Sequence, residues 1–524
     1  MISRCLAVLM AVAMVLTMSM TAFAADAADA PKGTLTVNNT VEGKTLDLYQ
    51  IFTATKSGEN VAYTLNSAYE GFFKNNTRIP GSESLTGKAL SEAAYNYVKE
   101  QVGANGEADT AKTFAKDVLG WILDSKNNIT ATTTVETKAT STVVPDLAYG
   151  YYLVYPKGAT DTSKAPGNQT YTSAASLVNI TADTATINMK SNYPTVDKKI
   201  IPAQSGSGIK VDAIVDGSWE GSHQMELDDE NESEDAIAPH GAADEKKAGD
   251  FGIGDTVTYQ LTSKVPDMTG YTSYTFKFTD TLSKGLDLKA ILSVKVESTE
   301  LKASKTGANT YSLSYDKTNR ILTVTLNDFY NSYKNHVGDT ITVVYTATLN
   351  KDAVIGMNPN TNKAEIEYSN DPNGTGTGKS NPSEADVYTF NFKIFKQDEK
   401  KSPLSGAKFE LYHSKTENNV IDETRKISLV KETTTDNSNL YRESPTSGAG
   451  TTTIIESAAD GYAQIKGLEE GTYFLHETEA PTGYNKLIGD IKLIIQADFD
   501  ETTGVLNSEI YLWNRGRTDS YCKE

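Results

Sequence analysis

The chain has 524 residues, with 49 lysine and arginine side chains against 68 aspartate and glutamate side chains, which gives a net charge of −19. This acidic balance argues against nucleic acids and anionic membranes as partners and favours solubility of an exposed surface. The length suggests about three domains, each large enough to bury a core of its own.

The first 24 residues have the features of a cleaved secretory signal. Arg4 precedes an apolar run at 5–18, and Ala22-Phe23-Ala24 provides the pattern of a cleavage site. The run is short for a bilayer span, so we expect export, with no membrane span in the mature chain. Cys5 leaves with the signal, which makes Cys522 the only mature cysteine and excludes an intrachain disulfide.

The first domain is predicted at residues 25–192. It begins with a strand at 34–37 and closes with a strand at 184–189. Two helical stretches lie between them, at about 82–102 and about 110–123, and in the second one Phe114, Val118, Trp121 and Ile122 form a single apolar face. We interpret these stretches as helical insertions over a β-sandwich.

The second domain is predicted at residues 193–384. Alternating apolar and polar side chains predict strands at 256–261, 274–278, 321–326 and 340–349. A polar, acidic stretch at 203–250 has a composition that cannot support a core, so we predict a long mobile loop there. Its carboxylates suggest a calcium site, but their spacing matches no EF-hand loop, and a solvated loop is favoured.

The third domain is predicted at residues 385–517, with a strand at 473–476, and a tail follows at 518–524. Short alternating runs separated by glycine and asparagine are found in all three domains. The predicted fold class is therefore mainly β, with tandem β-sandwich domains arranged like beads on a string.

The sequence contains no recognisable catalytic or cofactor motif. It has neither a Gly-x-Ser-x-Gly elbow nor a phosphate-binding glycine loop with lysine. His476 and Glu477 point to opposite faces of a strand, which disfavours a dyad. The histidines also lack metal-ligand spacing; they are His223, His240, His336, His413 and His476. We therefore expect no enzyme activity towards a substrate, no metal and no cofactor.

Two sets of residues each place a lysine, a carboxylic acid and an asparagine on the core face of predicted strands. The sets are Lys198, Asp280 and Asn362, and Lys396, Glu477 and Asn514. In every case the polar residue alternates with apolar neighbours, such as Val196 and Ile200 around Lys198 and Ile510 and Leu512 before Asn514. Burying an isolated ammonium is expensive, so a core lysine needs a chemical explanation.

That explanation is an amide between the lysine and asparagine side chains. An apolar core favours the neutral amine of lysine and the protonated form of the neighbouring acid. The acid can then donate a hydrogen bond to the asparagine carbonyl and polarise it for attack, after which ammonia leaves. Asp280 and Glu477 would be the proton shuttles of this single-turnover self-modification. On strand parity alone, a surface lysine with an unrelated acid and asparagine is an equal alternative for either set.

Longer motifs resemble a known family. The third domain, with PLSGAKFEL at 403–411 and GTYFLHETEAPTGY at 471–484, is similar to the collagen-adhesin B-type, prealbumin-like domain of Gram-positive surface proteins. The second domain, with GDTV at 254–257 and NKA at 362–364, resembles the isopeptide-forming middle domain of sortase-assembled backbone pilins. The first, with YQIF at 49–52 and GYYLV at 150–154, resembles their N-terminal domain. The implied fold is a tandem of immunoglobulin-like and prealbumin-like sandwiches.

The resemblance implies two intramolecular isopeptide bonds, Lys198 to Asn362 beside Asp280 and Lys396 to Asn514 beside Glu477. Lys199 is the rival of Lys198, but strand parity favours Lys198. The opening strand of the first domain carries no lysine, so we predict no bond there. Lys44 lies in a turn-like segment and is expected to be solvated.

The family also implies a lysine through which a sortase joins one subunit to the C-terminal threonine of another. Tyr155-Pro156-Lys157 matches the family's linking motif literally, but it follows directly on what resembles an inner strand. Lys190 lies just before the second domain, where the family's lysine lies, and its parity is opposite to that of Ile187 and Met189. We favour Lys190 over Lys157, with an ordinary surface lysine as the alternative for each.

The end of the chain departs from the family pattern. The family continues to a Leu-Pro-x-Thr-Gly sorting signal, an apolar span and a basic tail, and residues 518–524 contain none of these. We expect either a truncated or frameshifted sequence or a subunit secreted without an anchor.

The expected function is that of a structural subunit of a cell-surface pilus, self-cross-linked by isopeptide bonds and supporting adhesion. Its expected partners are other pilin subunits, through a sortase, and a host surface ligand. The alternative is a non-polymerising secreted or surface adhesin that binds a host ligand.

Overall fold

The computed structural model describes residues 31–102, 108–159, 175–189, 193–204, 207–220, 225–226, 246–372, 375–415, 420–434, 439–500, 503–514 and 522–523. The described part of the chain is mainly β and forms six sheets. Helices are few, and the two long ones lie in the first domain. The predicted fold class, tandem sandwiches with two helical insertions, is confirmed.

The first domain combines two sheets with a helical layer. Its strands are β1 Lys32–Thr40, β2 Thr45–Ser57, β3 Asn60–Leu65, β4 Thr133–Glu136, β5 Thr140–Ala148, β6 Gly150–Lys157, β7 Ser176–Ile180 and β8 Thr184–Asn188, and its helices are α1 Glu70–Phe73, α2 Gly87–Val102 and α3 Ala108–Leu123. One sheet has the order β5-β1-β8, and the other has the order β3-β2-β6-β7 with β4 paired to β2.

The helical layer forms because each long helix has one apolar face. Phe114, Val118 and Ile122 of α3 are buried in the same cluster as Leu153 of β6, while Trp121 packs at its margin. The helix predicted at 82–102 begins later, at Gly87, because residues 82–84 form a 3₁₀ turn and the next residue is extended.

The second domain is a sandwich of two large sheets. Its strands are β9 Asp197–Ile201, β10 Ser207–Lys210, β11 Met225–Glu226, β12 Ala248–Asp250, β13 Thr256–Lys264, β14 Phe276–Leu282, β15 Leu286–Val296, β16 Thr299–Glu300, β17 Lys302–Ala303, β18 Thr310–Asp316, β19 Ile321–Leu326, β20 Thr340–Leu349, β21 Asn360–Ser369, β22 Thr377–Lys379 and β23 Ser383–Tyr388, and its helices are α4 Val211–Asp216 and α5 Phe329–Tyr333. The sheet orders are β11-β10-β15-β20-β13-β9 and β12-β23-β21-β14-β19-β18-β17.

The segment predicted as a mobile loop at 203–250 is not a loop throughout. It contains β10, α4 and β12, and Ile209, Ile214 and Trp219 are buried in the core of the second domain. The loop prediction was wrong for 207–220 because these apolar residues precede the acidic run. That run, at 227–245, lies outside the described residues, as does the calcium site suggested there.

The predicted boundary at 384/385 would cut through β23. This strand pairs with β21 and β12, and Ala385 and Val387 belong to the core of the second domain. Tyr388 and Phe390 instead belong to the core of the third domain. We therefore place the boundary at Tyr388, the last residue of β23, whose side chain packs in the core of the third domain.

The third domain is a smaller sandwich. Its strands are β24 Phe390–Phe395, β25 Lys408–Ser414, β26 Ile421–Lys426, β27 Leu429–Glu432, β28 Asn439–Glu443, β29 Ile455–Glu456, β30 Tyr462–Leu468, β31 Gly471–Glu479, β32 Ile491–Phe499, β33 Leu506–Asn514 and β34 Cys522–Lys523. The sheet orders are β24-β30-β28-β27 and β26-β25-β31-β32-β33-β34, with β29 paired to β25.

The loop after β12 joins the second and third domains through tight contacts. The amide of Ile253 donates to the carbonyl of Gly467 at 2.8 Å, and the amide of Glu470 donates to Oδ2 of Asp250. Gly254 has φ of 109°, and a Cβ at this position would lie 2.3 Å from the ring of Pro445. The junction therefore requires glycine at 254.

Four carboxyl groups lie together at this junction, with Asp250 fully buried and the other three half-buried. Burial raises the pKa of Asp250 and of Glu469 to about 8 and that of Asp255 to about 6. Burial also raises the pKa of Glu443 well above its ordinary value, with Asp255 and Glu469 adding to the effect. The carboxylate of Glu470 raises the pKa of Asp250 further, and Arg425 opposes the shift of Glu469. The four groups are thus held in protonated form up to a higher pH than in the unfolded chain.

This junction should lose stability as the pH rises. Because the pKa values of these carboxyls are higher in the folded state than in the unfolded state, the folded state binds more protons, and its stability falls as the pH increases through about 6 to about 8. We expect a melting temperature lower by ~3 °C or more near pH 8 than near pH 5, measured by calorimetry at constant ionic strength.

The combined variant Asp250→Asn with Glu443→Gln should flatten this pH dependence. Asp212→Asn, which changes a largely exposed carboxylate in α4, should leave it as in the wild type. An equally steep pH profile in the combined variant would contradict the assignment.

Candidate functional site

The first set of residues connects the two sheets of the second domain. Lys198 of β9 lies opposite Leu261 of β13 in one sheet. In the other sheet Asp280 of β14 is opposite Ala364, and Asn362 of β21 is opposite Leu282. Asp280 and Asn362 are therefore diagonal neighbours on the same face. The alternation that predicted core positions for these three residues places them across one sandwich interior.

The structure brings these side chains into one hydrogen-bonded group. Nζ of Lys198 is 2.6 Å from Oδ2 of Asp280, and both side chains are at most 1% exposed. Lys198 Nζ also donates to the hydroxyl of Tyr345. Nδ2 of Asn362 donates to the same hydroxyl at 2.7 Å. The amine and the carboxamide thus meet at one phenol oxygen.

Burial shifts the two ionisable partners in the directions that amide formation needs. It lowers the pKa of Lys198 to about 8, against the opposing effect of Asp280. It raises the pKa of Asp280, against the opposing effect of Lys198. Oδ1 of Asp280 and Oδ1 of Asn362 are both buried without a hydrogen-bond partner among the described residues. If Asp280 is protonated, its hydroxyl can donate a hydrogen bond. The unpaired Oδ1 of Asn362 is then an acceptor within the same buried site.

Two tyrosines form the wall of this site, and the sequence analysis missed both. The rings of Tyr259 and Tyr345 stack with centroids 5.3 Å apart. Lys198 Nζ lies 4.5 Å from the first ring centroid and 5.0 Å from the second. Alternation in the strand predicted at 340–349 already puts Tyr345 on the face of Val343 and Ala347, which was the available signal.

Lys199, the rival of Lys198, lies on the other face of β9. Its ammonium is 3.6 Å from Asp197, and about a third of its side chain is exposed. The structure therefore distinguishes the two neighbouring lysines as the parity argument predicts.

The second set is only partly assembled. Lys396 follows β24, and its Nζ lies 2.6 Å from Oε1 of Glu477 on β31. The Glu477 side chain is fully buried, whereas that of Lys396 is 13% exposed. Oε2 of Glu477 accepts a hydrogen bond from the amide of Leu487 at 2.7 Å. The lysine and the acid therefore meet, but in a more polar setting than Lys198 and Asp280.

The predicted parity of β33 was wrong. Leu512 pairs with Ile494, whereas Tyr511 pairs with the buried Ile495 and packs against the core of the third domain. Asn514 pairs with Lys492, which is itself opposite Phe474. Residues paired in register point to the same face of a sheet, so position 514 is on the face of Phe474. Glu477 is on the opposite face, because it is an odd number of residues away from Phe474 in the same strand. β33 is also separated from β31 by β32, and the side chain of Asn514 lies outside the described residues.

Of the two candidate linking lysines, Lys157 is among the residues that the structure describes. Lys157 ends β6, and its Nζ is 3.5 Å from Asp47 and 3.4 Å from Asp371 of the second domain. About 29% of its side chain is exposed. Lys190 lies outside the described residues.

Lys44 was expected to be solvated, but its side chain contacts the second domain. Its Nζ donates to the hydroxyl of Tyr368 at 3.1 Å and to the carbonyl of Lys379 at 2.7 Å, both in the second domain. Burial lowers the pKa of Lys44. The turn-like sequence was a poor guide because the partners come from another domain.

The described residues show neither a dyad between His476 and Glu477 nor a cluster with the composition of a metal site. His476 contacts Asp490 at 2.6 Å and not Glu477. Among the described residues, no group of three His, Cys, Asp or Glu side chains could hold a metal ion. None of the helices in the described ranges has the length and hydrophobicity that a bilayer crossing requires.

Family models match two parts of the chain. Residues 253–372 match the Gram-positive pilin backbone subunit 2, Cna-B-like domain, and residues 390–508 match the prealbumin-like fold domain of the SpaA type. Both matched segments are similar to domains of Gram-positive backbone pilins. The first match contains Asp280 and Asn362, and the second contains Lys396 and Glu477.

Curated proteins and solved structures include similar pilins. The trypsin-resistant surface T6 protein of Streptococcus pyogenes serotype M6 is 25% identical over 276 residues, which are 47% of this chain and 42% of that protein. The structure of the T6 backbone pilin, described as modular and three-domain, aligns over 94% of each chain with 16% identity and a TM-score of 0.45. The full-length major pilin SpaD of Corynebacterium diphtheriae aligns over 87% of this chain and 88% of that chain, with 18% identity and a TM-score of 0.39.

Proposed function

We propose that this backbone pilin is a shaft subunit of a cell-surface pilus and that its second domain is closed by an amide between Lys198 and Asn362. The observation that carries the proposal is the buried contact of Lys198 with Asp280, with Asn362 hydrogen-bonded to the same tyrosine. The product would be neutral, which suits a fully buried position better than an ammonium does.

The proposed reaction is a condensation within one chain. Asp280 takes a proton from the Lys198 ammonium, and the resulting amine attacks Cγ of Asn362. The protonated acid donates to the carbonyl oxygen, where negative charge develops. The new bond joins Nζ to Cγ, a proton is transferred from Nζ to Nδ2, the bond from Cγ to Nδ2 breaks, and ammonia leaves. The reaction runs once per molecule, so the pilin is not an enzyme that acts on a substrate.

The bond would restrain the domain mechanically. It joins β9 in one sheet to β21 in the other, so tension applied to these strands would pass through a covalent link. Loop closure would also stabilise the domain by roughly 4 kcal/mol or more, if the entropy model for disulfides applies. β21 is not the last strand, however, and β23 lies outside the closed loop.

The second bond, Lys396 to Asn514 beside Glu477, remains a prediction that rests on the sequence motif and on the Lys396–Glu477 contact. It requires a one-residue change in the pairing of β33 with β32 to bring Asn514 to the core face. We propose it as a separate event from the first bond.

We further propose that the pilin is exported, polymerised by a sortase and located in a cell-wall pilus that supports adhesion to a host surface. Lys190 remains our proposed acceptor. Lys157 is held by ion pairs with Asp47 and Asp371, and these contacts would have to break before its amine could reach a sortase.

The intact mass of the chain from residue 25 onward tests the cross-links. Each condensation removes one ammonia, so the first bond lowers the mass by ~17 Da, and both bonds together lower it by ~34 Da. Asp280→Asn should restore one step because it removes the proton acceptor, and Glu477→Gln should restore the other if the second bond forms.

Matched controls exist on the same strands. Glu367→Gln removes a carboxylate of β21 that pairs with Lys277 at the surface, and Glu479→Gln removes one of β31 that pairs with Lys408. Neither should change the mass deficit. A mass equal to that of the sequence in the wild-type chain would refute the self-cross-linking mechanism.

Polymerisation assays test the acceptor lysine. With the cognate sortase and a donor subunit that carries a sorting signal, Lys190→Arg should abolish the ladder of covalent oligomers on a denaturing gel, because arginine keeps the charge and lacks the reactive amine. Lys157→Arg should retain most of the ladder. The opposite pattern would assign the acceptor role to Lys157, and an intact ladder in the double variant would exclude both lysines.

A further inference from the structure

Tyr345 occupies the point where the two reacting nitrogens meet. It lies on β20, opposite Tyr259 of β13, and is fully buried. Its oxygen accepts hydrogen bonds from Nζ of Lys198 and from Nδ2 of Asn362. In the proposed condensation the first nitrogen must lose a proton and the second must gain one before it can leave.

A buried site needs a built-in route for this proton. Lys198, Asp280 and Asn362 are each at most 1% exposed, so bulk water does not reach them in the folded domain. Asp280 contacts the lysine nitrogen through Oδ2, and its second role is at the carbonyl oxygen. The hydrogen-bond partner described for the departing nitrogen is the Tyr345 hydroxyl.

We propose that Tyr345 is a second catalytic residue of the self-cross-linking reaction, which relays a proton from the Lys198 nitrogen to the Asn362 nitrogen. This inference rests on the proposed function.

The step balances without an additional reagent. After attack, the Lys198 nitrogen in the tetrahedral intermediate carries a proton that it must lose. The Tyr345 oxygen accepts that proton while its own hydroxyl proton passes to Nδ2 of Asn362. The bond from Cγ to Nδ2 then breaks, ammonia leaves, and the carbonyl re-forms as the amide. The phenol ends as it began, so the proton has moved from one nitrogen to the other.

The surroundings of Tyr345 suit a relay better than a free base. Burial raises its pKa well above the usual value, and the negative charge of Asp280 adds to this effect. The hydroxyl therefore keeps its proton at neutral pH and has one to give at the moment it receives another. Its ring is fixed by stacking on Tyr259, so the oxygen is held in position.

The alternative is a purely structural tyrosine that fills the core. Tyr345→Phe separates the two roles, because phenylalanine keeps the ring and the stack but removes the oxygen. Tyr333→Phe is the control, since its buried hydroxyl lies in the same core and has no hydrogen-bond partner among the described residues.

The test follows bond formation in chains made by cell-free translation from residue 25 onward. Samples are quenched in acid over time, and the cross-linked peptide that joins Lys198 to Asn362 is quantified by mass spectrometry. We expect Tyr345→Phe to slow its appearance by ~100-fold, the scale of positioned proton transfer, and Tyr333→Phe to form it at the wild-type rate.

Protease resistance of the second domain, sampled at the same times, shows whether each variant has folded. If Tyr345→Phe does not fold, difluorotyrosine at position 345 replaces it, since this residue keeps the oxygen but holds its proton less tightly, and a changed rate is expected. A rate within threefold of wild type in the folded variant, or an unchanged rate with difluorotyrosine, overturns the relay. Absence of the cross-linked peptide from the wild-type chain overturns the proposed function itself, and the relay with it.

Discussion

The contact between Lys198 and Asp280 is the constraint around which the second domain is arranged. Both groups lie between two sheets whose other core residues are mostly apolar or aromatic. Buried ion pairs are weak sources of stability, because desolvation of two charges offsets most of their attraction. An apolar pair of similar size would pack this interior at least as well, so the pair needs a reason other than stability. The proposed conversion to a neutral amide and a neutral acid would supply that reason and would remove the desolvation penalty.

The same arrangement determines which parts of the chain remain held by non-covalent contacts. The proposed bond from Lys198 to Asn362 would enclose most of the second domain, but the chain from the end of β21 to β24 would lie outside it. This segment includes β23, which pairs with β21 and β12 and then enters the third domain. Beside it, the loop at 250–255 docks on the third domain through backbone hydrogen bonds and buried carboxyls. Resistance to force between the two domains therefore depends on strand pairing and on the protonation of this junction.

Strand alternation predicted the core positions of Lys198, Asp280 and Asn362 because their strands leave no choice of face. In β14 and β21 one parity is apolar and the other is polar, so only one register buries the apolar side chains. β33 carries Ile510, Tyr511, Leu512 and Trp513 in succession, so both faces are apolar and the pattern cannot select the register. The choice there is made by packing of Tyr511 against the core, which is tertiary information.

Two other predictions failed for related reasons: one averaged composition over a long segment, and the other missed contacts with residues distant in the sequence. The composition of 203–250 is acidic overall, which hid a short apolar segment that fills the core. The environment of Lys44 comes from Tyr368 and Lys379, which are more than 300 residues away in the sequence. Tyr345 could have been predicted from its parity, but its meeting with both nitrogens depends on how the two sheets face each other.

The two lysine–acid contacts have the same length but are not chemically equivalent. At 2.6 Å each, they are indistinguishable as ion pairs. Asp280 has a free buried oxygen beside a free carbonyl oxygen, whereas the second oxygen of Glu477 already accepts a backbone hydrogen bond. Lys198 is sealed by two aromatic rings, whereas Lys396 keeps some contact with solvent. Burial of the lysine, an acid with an unpaired oxygen and a hydroxyl hydrogen-bonded to Nδ2 of Asn362 are all found at the first site. The features that distinguish the two sites therefore lie in the residues around the lysine–acid pair, and these features favour the proposed amide at the first site.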